Sequence, residues 1–479
     1  MRFIRRSLIL IHRYLGIALS LVFLIWFVSG IAMIYARGMP TLTPEKRLER
    51  LPNLDLAKIH LTPAEALKAA NLGSPPEEVQ LLTIANRPAY RFRGNGVVIV
   101  YADTGEMLEM NAERASEVAQ ALLGLPASQV HADGVLTELD QWTIGERSKL
   151  PLHKFVAEDS AGTVVYVSET TGEVEVMTTR SGRMFAWVAA IPHWMYFRAL
   201  RTRPQAWRQT VLWLSGAGTV AALIGLVLAV IQYRRRAPHV PYAGWLRWHY
   251  ITGMIFGVFT LTWVFSGFLS MEPWFWASDG GLGAGVAESL QGASLDLSRF
   301  PVPFPSIDGA REIEYLMIQG APYYQVQTIS PQPVLVSAIS MERPDGLFST
   351  ESLLERVKAA NPEVRVLDTT LLNDYDSYYY SFDRQAPLPV VRIKFDDPNS
   401  TWLYIDPRMS RLVGRAHRRE RLQRWIYHGL HSLDFSFLYY SRPAWDIVMV
   451  GLCLGGVTLS SIGVLIAWKR VARAVVRRR

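Results

Sequence analysis

The sequence predicts an α-helical membrane protein with four transmembrane helices and two α+β extracytoplasmic domains, built as an internal parallel duplication. Three observations carry that prediction. Four apolar segments are long enough to cross a bilayer, the basic residues cluster beside them, and matching residues recur at a nearly constant spacing along the 479-residue chain.

Half of the residues are hydrophobic and 15 are Trp, more than a soluble protein of this size usually carries. The apolar segments run from Leu8 to Tyr35, Val211 to Tyr233, Trp245 to Met271 and Trp445 to Trp468. Each meets the roughly 20 residues that a helix needs to cross about 30 Å of hydrocarbon. The first is too long for a signal-peptide core and no small-x-small cleavage site follows it, so it reads as a retained helix.

The net charge of +8 does not point to nucleic acid. Its arginines sit in short groups: Arg2, Arg5 and Arg6; Arg234 to Arg236; and Lys469 to Arg479. Such flanking clusters stay on the cytoplasmic side, so both termini and the short central loop are expected in the cytoplasm and the two long connections outside. For a bacterial cell this means a multi-pass protein of the inner membrane with periplasmic domains.

The repeat is read from paired positions. His12-Arg-Tyr-Leu-Gly opens the first span and His249-Tyr-Ile-Thr-Gly the third, 237 residues later; Trp26 falls on Trp263 and Ser29-Gly30 on Ser266-Gly267 at the same offset. Leu150-Pro151, Tyr166, Arg183, Trp187, His193, Phe197 and Trp207 recur 238 residues on, at Leu388-Pro389, Tyr404, Arg421, Trp425, His431, Phe435 and Trp445. A parallel repeat implies a pseudo-twofold axis along the membrane normal.

The expected order is a first span (1–36), outer domain (37–180), interfacial helix and linker (181–208), second span (209–233) and cytoplasmic loop (234–244). The same series follows as 245–271, 272–418, 419–442 and 443–468, with a basic tail at 469–479. Within the first outer domain, Thr62-Pro-Ala-Glu has the cap and first-turn proline of a helix, and strands are expected at Ala89 to Arg93 and Val97 to Tyr101. The tyrosine run from Asp374 to Tyr380 is expected to be a strand with its turn.

Helix followed by antiparallel strands, closing on Asp103-Thr-Gly or Thr171-Gly-Glu, resembles the PepSY module. With His12-Arg-Tyr-Leu-Gly and Val28-Ser29-Gly30 included, the chain resembles the PepSY-associated transmembrane family, to which iron-regulated membrane proteins and haem-containing siderophore reductases belong. One departure is Asp406-Pro-Arg-Met, which stands where the other modules have a Thr-Gly turn.

Of ten histidines, four have a histidine at the equivalent position of the other copy: His12 with His249, near the cytoplasmic face, and His193 with His431, near the outer face. Ionisable side chains within a span are costly and point to function. Imidazole is a common axial haem ligand, and a pseudo-twofold axis would bring equivalent histidines to a shared iron, giving two haem b sites at two depths. The competing reading is that duplication copied structural residues.

His428, three residues before His431, is a substitute ligand or a supporting group, although Ala190 occupies its place in the first copy. Trp26 and Trp263 would stand toward the outer site or belong to an interfacial aromatic belt. Arg183 and Arg421 would pair with haem propionates or with lipid phosphate. His60, His131, His153, His239 and His417 read as surface or loop residues.

The single cysteine, Cys453, excludes an internal disulfide, and the absence of C-x-x-C-H excludes covalently attached haem. No G-x-G-x-x-G, P-loop or H-E-x-x-H motif is present, so no nicotinamide, ATPase or zinc-protease site is expected. The resemblance implies a haem-dependent reductase passing electrons from an unidentified donor, a quinol or a cytoplasmic reductase, to ferric siderophore or another periplasmic acceptor. The alternative is a non-enzymatic membrane scaffold whose outer domains bind and regulate a partner protein.

Overall fold

The structure is a computed structural model that describes residues 2–36, 38–274, 282–301, 307–330, 332–344, 346–381 and 385–476. The last three arginines of the basic tail, and parts of the expected second outer domain, lie outside the described residues. The chain divides into two compact units. One comprises Met1–Met39, Met184–Asp279 and Arg418–Arg479, the other Pro40–Arg183 and Gly280–His417.

The first unit is helical. Its long helices TM1 (Arg2–Ala36), TM2 (Pro204–Gln232), TM3 (Gly244–Leu269) and TM4 (Ala444–Val476) are long and apolar enough to cross a membrane. TM2 starts at Pro204, where proline fits the first helical turn without losing a backbone bond. TM4 continues past Trp468 into the basic tail, because Lys, Arg and Ala sustain a helix after the apolar stretch ends.

TM1 packs on TM2 and TM4, and TM3 on the same two, closing a four-helix ring. Lipid is as apolar as the side chains, so close backbone approach rather than hydrophobic burial holds such helices together. Gly455 and Gly456 supply it, since a Cβ on either would overlap the ring of Phe256 or Phe27. Phe27, Trp263, Trp445, Met449 and Cys453 form a buried cluster in this ring.

Short helices precede TM2 and TM4. Ala190–Trp194 and Arg198–Arg201 lead to TM2, and Trp207 Nε1 donates to the Trp194 carbonyl at 2.8 Å. Arg418–Gln423, a π-helical turn at Arg424–Gly429, and Leu430–Ser432 lead to TM4, where Trp445 Nε1 donates to the Ser432 carbonyl at 2.9 Å.

The second unit holds three antiparallel sheets. Val130–Leu136, Leu152–Ala157, Val164–Ser168 and Val174–Thr178 form one four-stranded meander; Val366–Leu372, Val390–Phe395, Trp402–Asp406 and Arg411–Ala416 form another. The third sheet draws on both chain segments of this unit. Its strand order is Val334–Ser337, Ala321–Gln327, Glu312–Ile318, Glu78–Ile84, Arg87–Arg93 and Val97–Tyr101, and the seam pairs Gln80 with Glu314 and Leu82 with Glu312. The segments expected as separate domains thus share a sheet, which pairs two strand edges that would otherwise stay open.

Tyr90, Phe92, Tyr315 and Tyr324 fill one face of this sheet, and helix Pro63–Ala70, with its Thr62–Glu65 capping box, packs there. Charge crosses the seam. Arg91, 4% exposed, pairs with Glu173, which also binds Arg47; burial pushes Arg91 down to about 10. Arg47 lies 2.8 Å from Glu312, too poorly aligned for a hydrogen bond. Burial, then neighbouring Glu78, pushes Glu314 up to about 7.

The strands expected at Ala89 to Arg93 and Val97 to Tyr101 are present. Asp406-Pro-Arg-Met still closes a hairpin: Ser410 adopts φ 44°, as Gly172 does at φ 70° in the matching turn. The tyrosine run differs from expectation, because the strand ends at Leu372. Asp376 accepts the backbone N–H groups of Tyr378 and Tyr379 at 2.8 and 2.7 Å and so competes with the ladder for them.

Candidate functional site

The four repeated histidines all lie in the helical unit, and the fold brings them together as two pairs. His12 on TM1 faces His249 on TM3 with ring centroids 6.2 Å apart. His193, on helix Ala190–Trp194, faces His431, on Leu430–Ser432, with centroids 6.1 Å apart.

The first pair lines a cleft of about 1540 Å³, counting its open mouth. Gly16, Gly225, Gly253 and Gly257 are among its lining residues, as are Arg13 and Arg470. Gly225 lets TM2 pass close to the first imidazole, since a Cβ there would stand 2.7 Å from His12 Cε1. His12 Nδ1 is 2.9 Å from the Ala221 carbonyl, which cannot donate, so this nitrogen carries the proton. His249 Nδ1 is buried and short of a well-formed hydrogen bond, with the Leu459 carbonyl as its backbone neighbour.

The second pair is held by two serines. Ser29 Oγ on TM1 lies 3.1 Å from His193 Nδ1, and Ser266 Oγ on TM3 lies 2.9 Å from His431 Nδ1. Both serines are buried, at 1% and 0% exposure. Burial pushes His193 down to about 4, and burial together with the facing His193 pushes His431 down to about 3. Both imidazoles are therefore neutral at pH 7, the form that keeps a nitrogen lone pair.

Seventeen residues separate His12 from Ser29, and His249 from Ser266. At the helical rise, the pairs are set at depths about 26 Å apart. Trp26 and Trp263 lie between these levels, and both indole nitrogens are buried without a hydrogen-bond partner. Phe27 packs on Trp263 at 5.7 Å and Phe23 on Trp26 at 6.4 Å.

The remaining candidates have other neighbours. His428 is exposed and sits beside Tyr427 at 4.8 Å, whereas Tyr427 itself stacks on His431 at 5.3 Å. Arg183, in the second unit, donates to Thr178 Oγ1 at 2.8 Å and to the Gly162 carbonyl at 3.1 Å. Arg421 is partly buried on helix Arg418–Gln423.

Two of the histidines expected at the surface or in loops are buried, His153 within a strand and His417 in the short connection that follows one. His153 is 5% exposed and pairs with Glu169 at 2.9 Å, and His417 is fully buried against Thr401 at 2.9 Å. Each sits where a strand meets a polar neighbour, and the side-chain partner offsets the cost of burial. Among the described residues, no group of three or more His, Cys, Asp or Glu side chains is arranged to hold a metal ion.

Sequence reasoning missed two features. Ser29 and Ser266 were visible as a repeated motif but not as histidine partners. Arg424 and Asp434 form an ion pair at 2.7 Å, both nearly inaccessible, that braces the chain on either side of His428 and His431. The repeat could not reveal that pair, because Ala186 and Tyr196 occupy the equivalent positions.

Comparison with curated proteins gives no match. A model of the PepSY-associated TM region matches residues 9–470, nearly the whole chain, and the protein therefore belongs to that membrane-protein family.

Proposed function

We propose that the protein is a di-haem oxidoreductase of the bacterial inner membrane that delivers electrons to an extracytoplasmic acceptor, with siderophore-bound ferric iron as the substrate class. The observation that carries this reading is the pair of facing imidazole couples at two depths. Two imidazoles bound through nitrogen to one metal at about 2 Å each, with about 1 Å more from nitrogen to ring centre, have centroids about 6 Å apart. The measured 6.2 and 6.1 Å fit that arrangement. A porphyrin supplies the other four ligands, so two histidines per site are enough.

The surroundings fit a flat, largely apolar cofactor as well. The inner cleft is lined in part by glycines and mostly by apolar surface, and its lining arginines offer forked donors to carboxylates. The buried indole N–H groups of Trp26 and Trp263 are donors in want of an acceptor near the outer pair. Haem bound at such sites supplies a one-electron ferric/ferrous couple. The chain contributes the rest: His12 and His249 hold one centre, His193 and His431 the other, and the ring of spans excludes water between them. Reduction of siderophore-held iron lowers the charge its hard oxygen ligands bind, which favours release.

The same reading treats the chain as two copies of one unit, and matched contacts support it. Tyr166 donates to Asp140 at 2.8 Å and Tyr404 to Asp376 at 3.0 Å; Thr163 donates to Asp159 at 2.5 Å and Thr401 to Asp397 at 2.8 Å. Purified protein is expected to show a Soret band that shifts on dithionite reduction and two pyridine-extractable b haems per chain. Absence of any Soret band, with function surviving replacement of all four histidines, would instead support the scaffold reading.

A further inference from the structure

The Val28-Ser29-Gly30 motif and its repeat Phe265-Ser266-Gly267 place one hydroxyl on TM1 and one on TM3, each between two groups. Ser29 Oγ is 3.1 Å from the Trp26 carbonyl and 3.1 Å from His193 Nδ1; Ser266 Oγ is 2.9 Å from the Trp263 carbonyl and 2.9 Å from His431 Nδ1. A hydroxyl has a single proton to give. A carbonyl oxygen can only accept, so the proton of each serine goes to the tryptophan carbonyl, the usual back-bond of a serine within a helix. The oxygen then accepts, and the proton in the serine–histidine contact belongs to the imidazole.

The same two carbonyls also lie against the imidazoles, adding a second acceptor and no donor. We infer that Ser29 and Ser266 are positioning residues that hold His193 and His431 in the Nδ1–H tautomer, which leaves the Nε2 lone pair of each free as the metal-binding atom. This rests on the reading of the pair as ligands to one shared haem. The inner pair is arranged differently, with a backbone carbonyl at His12 and no well-formed bond at His249. The hydroxyl lock therefore belongs to the outer site alone.

A hydrogen bond accepted from the far nitrogen of a ligating histidine fixes its ring and raises its basicity, and losing such a partner typically weakens metal affinity about 10- to 100-fold. The effect here belongs at the lower end of that range, because the tryptophan carbonyls remain in reach when the hydroxyls are removed. A more basic imidazole favours ferric over ferrous iron, so removing both hydroxyls is expected to raise the reduction potential of the outer centre.

The test uses the full-length protein with the double substitutions S29A/S266A and S29T/S266T. Redox titration of the haem-loaded protein should show one of two centres shifted upward in the alanine variant by about 59 mV, a tenfold change for a one-electron couple. Haem retention at that centre should fall about tenfold, while the inner centre, an internal control for folding, stays unchanged. Threonine, which keeps a hydroxyl able to bond back along the helix, should restore both values.

In haem-free protein labelled with nitrogen-15 at histidine, the two signals lost in the H193A/H431A variant should be Nδ1–H tautomers. Two Nε2–H signals, or an alanine variant with both potentials and haem content unaltered, would overturn the inference. Wild-type protein that takes up no haem would defeat the functional proposal instead, and the tautomer measurement would still decide the serine–histidine contact.

Discussion

Replacing Gly225 with alanine tests the inner histidine pair with a single methyl group. An ideal Cβ at this position lies 2.7 Å from His12 Cε1 and 3.3 Å from its Nδ1. Carbon atoms settle near 3.5 Å, so the imidazole must withdraw by about 0.7 to 0.8 Å. Metal–ligand distances tolerate about 0.2 Å, so a ring displaced that far no longer shares a centre with His249. The move also stretches the 2.9 Å bond to the Ala221 carbonyl, worth about 1 kcal/mol, and overpacking costs about 1–3 kcal/mol more. TM2 itself is not weakened, since alanine is the better helix former by up to about 1 kcal/mol. Pyridine haemochrome assay of the purified variant should show haem falling from two per chain toward one, with the outer centre's spectrum unchanged. Two haems with the wild-type spectrum, or loss of the outer centre in place of the inner, would refute the reasoning.

Three further outcomes are expected. Asp434→Ala leaves the Arg424 guanidinium buried without its carboxylate, which should cost about 3–5 kcal/mol and lower the thermal unfolding midpoint measured in detergent, with the outer centre lost first. Glu314 has its carboxyl raised from 4.5 to about 7 by burial. Its contribution to stability is therefore present below pH 4.5 and lost as pH rises through 7, and Glu314→Gln should flatten the unfolding profile across that window and stabilise the protein by about 3 kcal/mol at pH 8. Cysteines placed at Arg235 in the central loop and at Ser298 in an outer segment should react with membrane-impermeant reagents from opposite sides of intact inner membrane, the first only from the cytoplasmic face; labelling of both from one side would reverse the topology.

The spans were legible in the sequence because hydrocarbon imposes a length and composition that little else satisfies, and the C-terminal ends of TM1 and TM3 fall within about two residues of where apolarity stops. TM2 and TM4 overran the expected limits, since helical backbone bonding continues into polar residues that still favour helix. The two long segments between the spans were less legible. Alternating patterns gave the strands Ala89 to Arg93 and Val97 to Tyr101, but the pairing of Leu81 with Ile313 joins residues more than two hundred positions apart, and nothing in either strand names its partner. The tyrosine run misled for a local reason: its β-prone residues lost their ladder to the Asp376 side chain.

The four histidines, and the expectation that they work as couples, came from the sequence alone, because residues that recur at a constant offset can be matched whether or not they touch. Only the tertiary structure decided that the members of each couple face one another at about 6 Å, that serine hydroxyls back one couple while glycine makes room for the other, and that His428 is exposed. Those outcomes depend on helix rotation and on close approach between helices, which arise from packing between distant parts of the chain and leave no periodic trace within any one of them.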